Sequence, residues 1–78
     1  MNQEPELIQS PLNQSITREG HSLRVDIYRM EDESTWLLEV VNEQGTSHVW
    51  DERFTTDQEA LNAVHEALAD KGIEVFID

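Results

Sequence analysis

The sequence predicts an α+β domain: an antiparallel meander of three or four strands with one C-terminal helix packed on one face. Two observations support this prediction. Residues 12–54 largely alternate between apolar and polar side chains, as half-buried strands do. Residues 55–72 carry the start signal, the apolar stripe and the stop signal of a single amphipathic helix. A chain of 78 residues has room for one such domain.

Residues 1–11 are predicted to form a flexible N-terminal tail. They are mostly polar and include two prolines. Apart from the prolines and Met1, their only apolar side chains are those of Leu7 and Ile8. The folded domain is therefore expected to span residues 12–78.

The first predicted hairpin turns at Glu19-Gly20, where glycine tolerates the positive φ of a tight turn. Residues 23–27 alternate strictly, which is typical of a half-buried strand. Pairing across the turn sets Ile16 opposite Leu23, and Leu12 opposite Ile27. All four apolar side chains then share one face of the sheet.

A second hairpin is predicted between residues 35–41 and 46–54, which are rich in β-branched and aromatic side chains. A three-residue loop that ends at a left-handed Gly45 sets Leu38 opposite Trp50. A slip of one residue would place Leu38 opposite an aspartate, so the apolar pattern favours the first register.

The predicted helix begins at Thr56 and ends near Lys71. Thr56 is the expected N-cap and accepts a hydrogen bond from the Glu59 amide, while the Glu59 side chain reaches back to the Thr56 amide. Gly72 suits a left-handed residue at the C-terminal end. Residues 73–77 are strand-like, and two alternatives stay open for them: a short extra edge strand or an extended tail.

The predicted core joins the inward side of the strands to the apolar stripe of the helix. Both tryptophans are assigned to this covered face. The core is expected to contain Ile16, Leu23, Val25, Ile27, Trp36, Leu38, Val40, Trp50, Leu61, Val64 and Leu68.

Charge is the strongest signal in the composition, because 17 acidic residues face five basic ones and give a net charge of -12. Such a surface repels nucleic-acid phosphates and anionic lipids, so we expect no direct binding to nucleic acid or membrane. The chain has no cysteine, which excludes disulfides, zinc–thiolate sites and thiol nucleophiles. No apolar run approaches a membrane span and no secretory signal is recognisable, so a soluble cytoplasmic protein is expected.

The residue types predict no catalytic residue, no cofactor and no metal site. The three histidines lie on a turn, a strand and a helix, without the spacing of a ligand pair. No glycine-rich phosphate loop or G-x-S-x-G motif occurs. Glu66 and Asp70 lie four residues apart, which is common on a solvated helix face. We therefore predict a protein that is not an enzyme; a small hydrolase or metal-dependent enzyme is a further alternative.

Four apolar side chains fall by parity on the sheet face that one helix cannot cover: Tyr28, Leu37, Val41 and Val49. Two interpretations stay open. The face is an ordinary solvated one with scattered apolar residues, or it is a surface for a protein partner or a homodimer. The acidity likewise serves solubility alone, or it attracts a basic partner or imitates nucleic-acid charge.

Residues 59–68, Glu-Ala-Leu-Asn-Ala-Val-His-Glu-Ala-Leu, preceded by Thr56, resemble the helix of HicB-like domains. In that family, short antiparallel strands lead into a threonine-capped E-A-L-x-x-A-x-x-A-L helix. The resemblance covers residues 55–68 well and the strands in outline. It implies a partial double-stranded-RNA-binding-type β-β-β-α fold, a binding role, and a small basic ribonuclease toxin as partner. An antitoxin-like inhibitor of a basic protein is therefore the alternative to a general protein-binding or regulatory module.

Overall fold

The computed structural model describes residues 5–77 and contains a five-stranded antiparallel sheet followed by one α-helix. The predicted α+β class, with a meander-like sheet and a C-terminal helix, is confirmed. The elements in chain order are β1 (Leu7–Gln9), β2 (Gln14–Arg18), β3 (His21–Met30), β4 (Leu37–Val41), β5 (Ser47–Val49), α1 (Asp57–Lys71) and a 3₁₀ helix (Ile73–Phe76).

Strand β3 is the centre of the sheet, with β4 along one side and both β1 and β2 along the other. The predicted pairing of Ile16 with Leu23 is confirmed. The predicted pairing of Leu12 with Ile27 is wrong, because residues 10–13 interrupt the edge. There the Ile27 amide donates to Asn13 Oδ1 at 2.7 Å, and the Ile27 carbonyl accepts from the Ser10 amide at 2.9 Å.

The prediction of a flexible tail over residues 1–11 is wrong for Leu7–Gln9, which pair with β3 as strand β1. Residues 1–4 of that predicted tail lie outside the described residues. Its two prolines flank β1, where neither has to donate to the ladder, so they do not oppose the strand. Ser10 fixes the chain after β1, since its Oγ donates to Asp57 Oδ2 at 2.7 Å and accepts from the Leu12 amide at 3.0 Å.

The second hairpin has the predicted register. The Asn42 amide donates to the Thr46 carbonyl at 3.0 Å, Gly45 has a φ of 88°, and the Trp50 amide donates to the Leu38 carbonyl at 3.1 Å. Strand β5 is shorter than the predicted span of 46–54, because the ladder ends after Trp50. Beyond Trp50 the chain pairs with the residue that precedes β4, at an isolated bridge between residues 36 and 54.

Helix α1 has the predicted caps. Thr56 Oγ1 accepts from the Glu59 amide at 3.1 Å, and the Gly72 amide donates to the Leu68 carbonyl at 2.9 Å with a Gly72 φ of 76°. The Glu59 carboxylate, predicted to reach the Thr56 amide, accepts from Thr55 Oγ1 at 2.8 Å. Both ends of the helix are thus set by residues immediately outside it.

The strand alternative for residues 73–77 is wrong, and so is the extended tail, because Ile73–Phe76 form a 3₁₀ helix. Residues three apart lie on the same side of a 3₁₀ helix, so Ile73 and Phe76 are buried together. A strand would have placed them on opposite faces. The Asn42 side chain secures this segment by donating to the Phe76 carbonyl at 2.8 Å.

The core lies between the sheet and α1, as predicted. The predicted members that are buried are Leu23, Val25, Ile27, Leu38, Val40, Leu61, Val64 and Leu68. Ile16, Trp36 and Trp50 are only partly buried and pack at its edge. The structure adds Phe54, Ala60, Ile73 and Phe76, so the C-terminal segment closes the end of the core. Among residues 5–77, no helix has both the length and the apolar character needed to cross a membrane.

Candidate protein-binding face

The side of the sheet opposite α1, called the open face here, carries all four apolar residues that the sequence placed there. Tyr28 lies directly opposite Leu37, and Val41 lies opposite Arg24. Val49 lies opposite Glu39 on the neighbouring strand pair and is 54% exposed. Because residues paired in an antiparallel sheet point to the same side, these side chains share one surface.

The register places the four apolar side chains near one another. Val49 is the diagonal neighbour of both Leu37 and Val41, since its direct partner on β4 lies between those two. Diagonal neighbours of this kind are about 7–8 Å apart, within reach of large side chains. With Tyr28 beside Leu37, the apolar residues occupy positions that neighbour Glu39 on β3, β4 and β5.

Two carboxylates lie at the centre of the open face, because Asp26 is paired directly with Glu39. Arg24 Nε contacts Asp26 Oδ2 at 3.1 Å, and the Arg24 side chain is largely exposed. Like charges directly opposite each other destabilise a sheet. At the centre of this face, the two carboxylates thus have the Arg24 guanidinium as a direct neighbour. A second guanidinium, that of Arg53, acts on Tyr28 of the same face and also lies 3.6 Å from Glu33 Oε1.

Tyr28 is half-buried on the open face and lies close to its charged groups. Burial is the main cause that raises the pKa of the Tyr28 phenol above its ordinary value of 10.0. The negative charges of Glu39 and Asp26 and a hydrogen bond to Glu39 raise this pKa further, while Arg53 opposes them. The phenol thus stays protonated at neutral pH and can donate to the Glu39 carboxylate.

Strand β1 extends the open face beyond the predicted residues. Leu7 pairs with Met30 and is 51% exposed, and Gln9 pairs with Tyr28. An open depression of about 550 Å³ lies on this side of the sheet, lined by Leu7, Gln9, Arg24, Asp26, Tyr28 and Glu39. Sequence reasoning missed Leu7 and Gln9 because it assigned them to a tail, and the only signal for a strand was the apolar pair at residues 7 and 8.

The histidines and carboxylates do not converge elsewhere in the described chain. Within residues 5–77, no group of three histidine, aspartate or glutamate side chains is arranged to hold a metal ion. His21 Nδ1 lies 3.0 Å from Glu43 Oε1, His48 packs edge-on against Phe76, and His65 is exposed on α1. Among the described residues, the open face with its apolar and charged side chains is therefore the candidate site.

Comparisons of the chain with models of protein families, with curated protein sequences and with solved structures gave no match. The resemblance of residues 55–68 to the HicB-like helix therefore stays a prediction from the sequence.

Proposed function

We propose that this chain is a non-enzymatic protein-binding module whose open face receives another protein. One observation carries the proposal: Tyr28, Leu37, Val41 and Val49 share the face that α1 does not cover, where they lie near Glu39, the residue paired with Asp26. Apolar residues grouped in this way and surrounded by polar side chains are typical of interaction sites.

The charge at the centre of the open face favours a different protein, and not a second copy of this chain, as the binding partner. Two copies joined through this face would bring two Asp26–Glu39 pairs together, and each chain carries a net charge of -12. A partner that presents a lysine or arginine within an apolar surface would instead neutralise the pair. We therefore infer a partner with a cationic centre and an apolar surround.

The proposal is tested by capture from the native host with a pair of variants that remove equal charge. Asp26→Asn with Glu39→Gln changes the open face, whereas Glu31→Gln with Asp32→Asn changes exposed residues of the β3–β4 connection. We expect the partner identified by mass spectrometry to bind the purified wild type and the second variant alike. Its affinity for the first variant should fall by about tenfold, because charge pairs within an interface have large coupling energies.

Two results would count against this assignment. If the partner bound both double variants with equal affinity, the open face would not be part of the interface. A homodimer in light scattering that dissociates on Val49→Ser would show that a second copy occupies the face.

A second candidate function, inhibition of a basic protein by imitation of nucleic-acid charge, is favoured by the 17 acidic residues of the chain. It differs from the first proposal in its salt dependence. The affinity of such a complex should fall steeply over the whole range of added salt, because many exposed charge pairs are screened together. An adjacent reading frame that encodes a small basic protein would identify the first partner to test.

A further inference from the structure

A groove of about 510 Å³ lies on the helix side of the sheet, between α1, the 3₁₀ helix and the segment that follows β5. We call it the helix groove. Trp50 and Phe76 form its aromatic floor, with ring centroids 5.9 Å apart. The half-buried Ala63 and Ala67 line it from α1. Since both helix residues are alanines, the groove keeps its depth where a larger side chain would fill it.

Acidic residues surround this apolar floor. Glu52 lies on the strand side, and Glu66 and Asp70 lie one turn apart on α1. All three are exposed, and Lys71 is the single cation among the lining residues. Three carboxylates and one ammonium leave an excess of two negative charges around an aromatic surface.

We propose that the helix groove binds an arginine or lysine side chain from a basic segment of a partner protein. The methylene stem of such a side chain would lie over the two alanines, and its cation would lie between the Trp50 ring and the carboxylates of Glu66 and Asp70. Long cationic side chains bind in this way because the stem is apolar and the head is charged. The aromatic ring adds attraction for the cation itself.

The same type of contact occurs within this chain. The Arg29 guanidinium carbon lies 5.1 Å from the centroid of the Trp36 ring. Its Nη1 also donates to the Glu33 carbonyl at 2.8 Å, so the cation is held by an aromatic ring and an oxygen acceptor together. The helix groove offers both of these to a cation from outside: a ring at Trp50 and carboxylate oxygens around it.

The groove proposal does not depend on the proposed function, because the groove and the open face lie on opposite sides of the sheet. Variants of one surface leave the residues of the other unchanged. A failure at either surface is therefore distinguishable from a failure at the other.

The test uses the whole chain labelled with ¹⁵N and a terminally blocked hexa-arginine peptide as the probe. Trp36 and Trp50 are the only tryptophans, so their indole N–H signals report two separate places. We expect the peptide to shift the Trp50 indole signal in a saturable way and to leave the Trp36 signal in place. A hexa-citrulline peptide of the same length, which lacks the charge, should not bind.

Matched variants separate the groove from the general acidity of the chain. Glu66→Gln with Asp70→Asn should weaken peptide binding by about threefold to tenfold, as expected for two exposed charge pairs assisted by an aromatic ring. Glu31→Gln with Asp32→Asn removes equal charge elsewhere and should weaken it less. Ala67→Leu fills the groove and should weaken binding, whereas Ala69→Leu on the exposed side of α1 should not. Lys71→Gln should tighten it.

Three results would overturn the inference. The first is a peptide-induced shift at Trp36 equal to that at Trp50. The second is an equal loss of affinity in the two charge-matched variants, which would show non-specific attraction by the acidic surface. The third is unchanged affinity for a folded Ala67→Leu protein, since a filled groove cannot hold an arginine side chain.

Discussion

Leu38→Ala should lower the free energy of unfolding by about 2–5 kcal/mol, the usual cost of emptying a buried leucine site. Leu38 is 0% exposed and points from β4 into the core beneath α1. The total stability of a domain of this size is roughly 4–12 kcal/mol. The substitution therefore removes a large part of it, and denaturant unfolding followed by circular dichroism measures the loss.

Leu37→Ala is the matched control, because it makes the same chemical change one residue earlier on the same strand. Leu37 lies half-buried on the open face, so its truncation should cost about 1 kcal/mol or less. Equal losses in the two variants would mean that the sheet does not have one covered and one uncovered side.

Asn42→Ala should lower the free energy of unfolding by about 2–4 kcal/mol, because three hydrogen bonds lose their partner in or near the core. Asn42 is 6% exposed. Its Oδ1 accepts from the Gln44 and Thr46 amides at 3.0 and 2.9 Å, and its Nδ2 donates to the Phe76 carbonyl at 2.8 Å. One side chain thus holds both the β4–β5 turn and the C-terminal segment, and denaturant unfolding tests this role.

Two further variants separate the contributions that the Asn42 side chain makes to the turn and to the C-terminal segment. Asn42→Asp keeps the acceptor for the turn amides but loses the donor to Phe76, so amide exchange in residues 73–77 should accelerate. Gln44→Ala changes an exposed residue of the same turn and should alter stability by about 0.5 kcal/mol at most. An Asn42→Ala protein as stable as the wild type would show that water replaces these three hydrogen bonds without loss.

The features that could be predicted from the sequence are those encoded by neighbouring residues. The strict alternation of residues 23–27 predicts the inward side of β3, and Thr56 and Gly72 predict the ends of α1. The sequence also predicts that Tyr28, Leu37, Val41 and Val49 lie on the open face. Side chains alternate along a strand, so the residues between the core positions must point to the opposite side of the sheet. These signals need no knowledge of distant contacts.

The features that escaped prediction depend on residues far apart in the chain. Leu7–Gln9 become a strand because β3 offers an unpaired edge, which three residues cannot signal by themselves. The pattern of residues 73–77 fits a strand as well as a 3₁₀ helix, and the contacts of Ile73 and Phe76 with the core decide between them. The helix groove likewise depends on the placement of Trp50 beside one face of α1. In the sequence, that helix face is only a set of polar and small residues with no sign of a binding site.

The most direct test of the account is the reactivity of single cysteines placed along β4, which is feasible because the natural chain contains none. Cysteine replaces residues 37, 38, 39, 40 and 41 in turn, and alkylation rates are measured under native conditions. We predict that residues 37, 39 and 41 react quickly and that residues 38 and 40 are protected. Equal rates at all five positions, or protection of the odd-numbered ones, would contradict a sheet with one side covered by α1 and the other open to a partner.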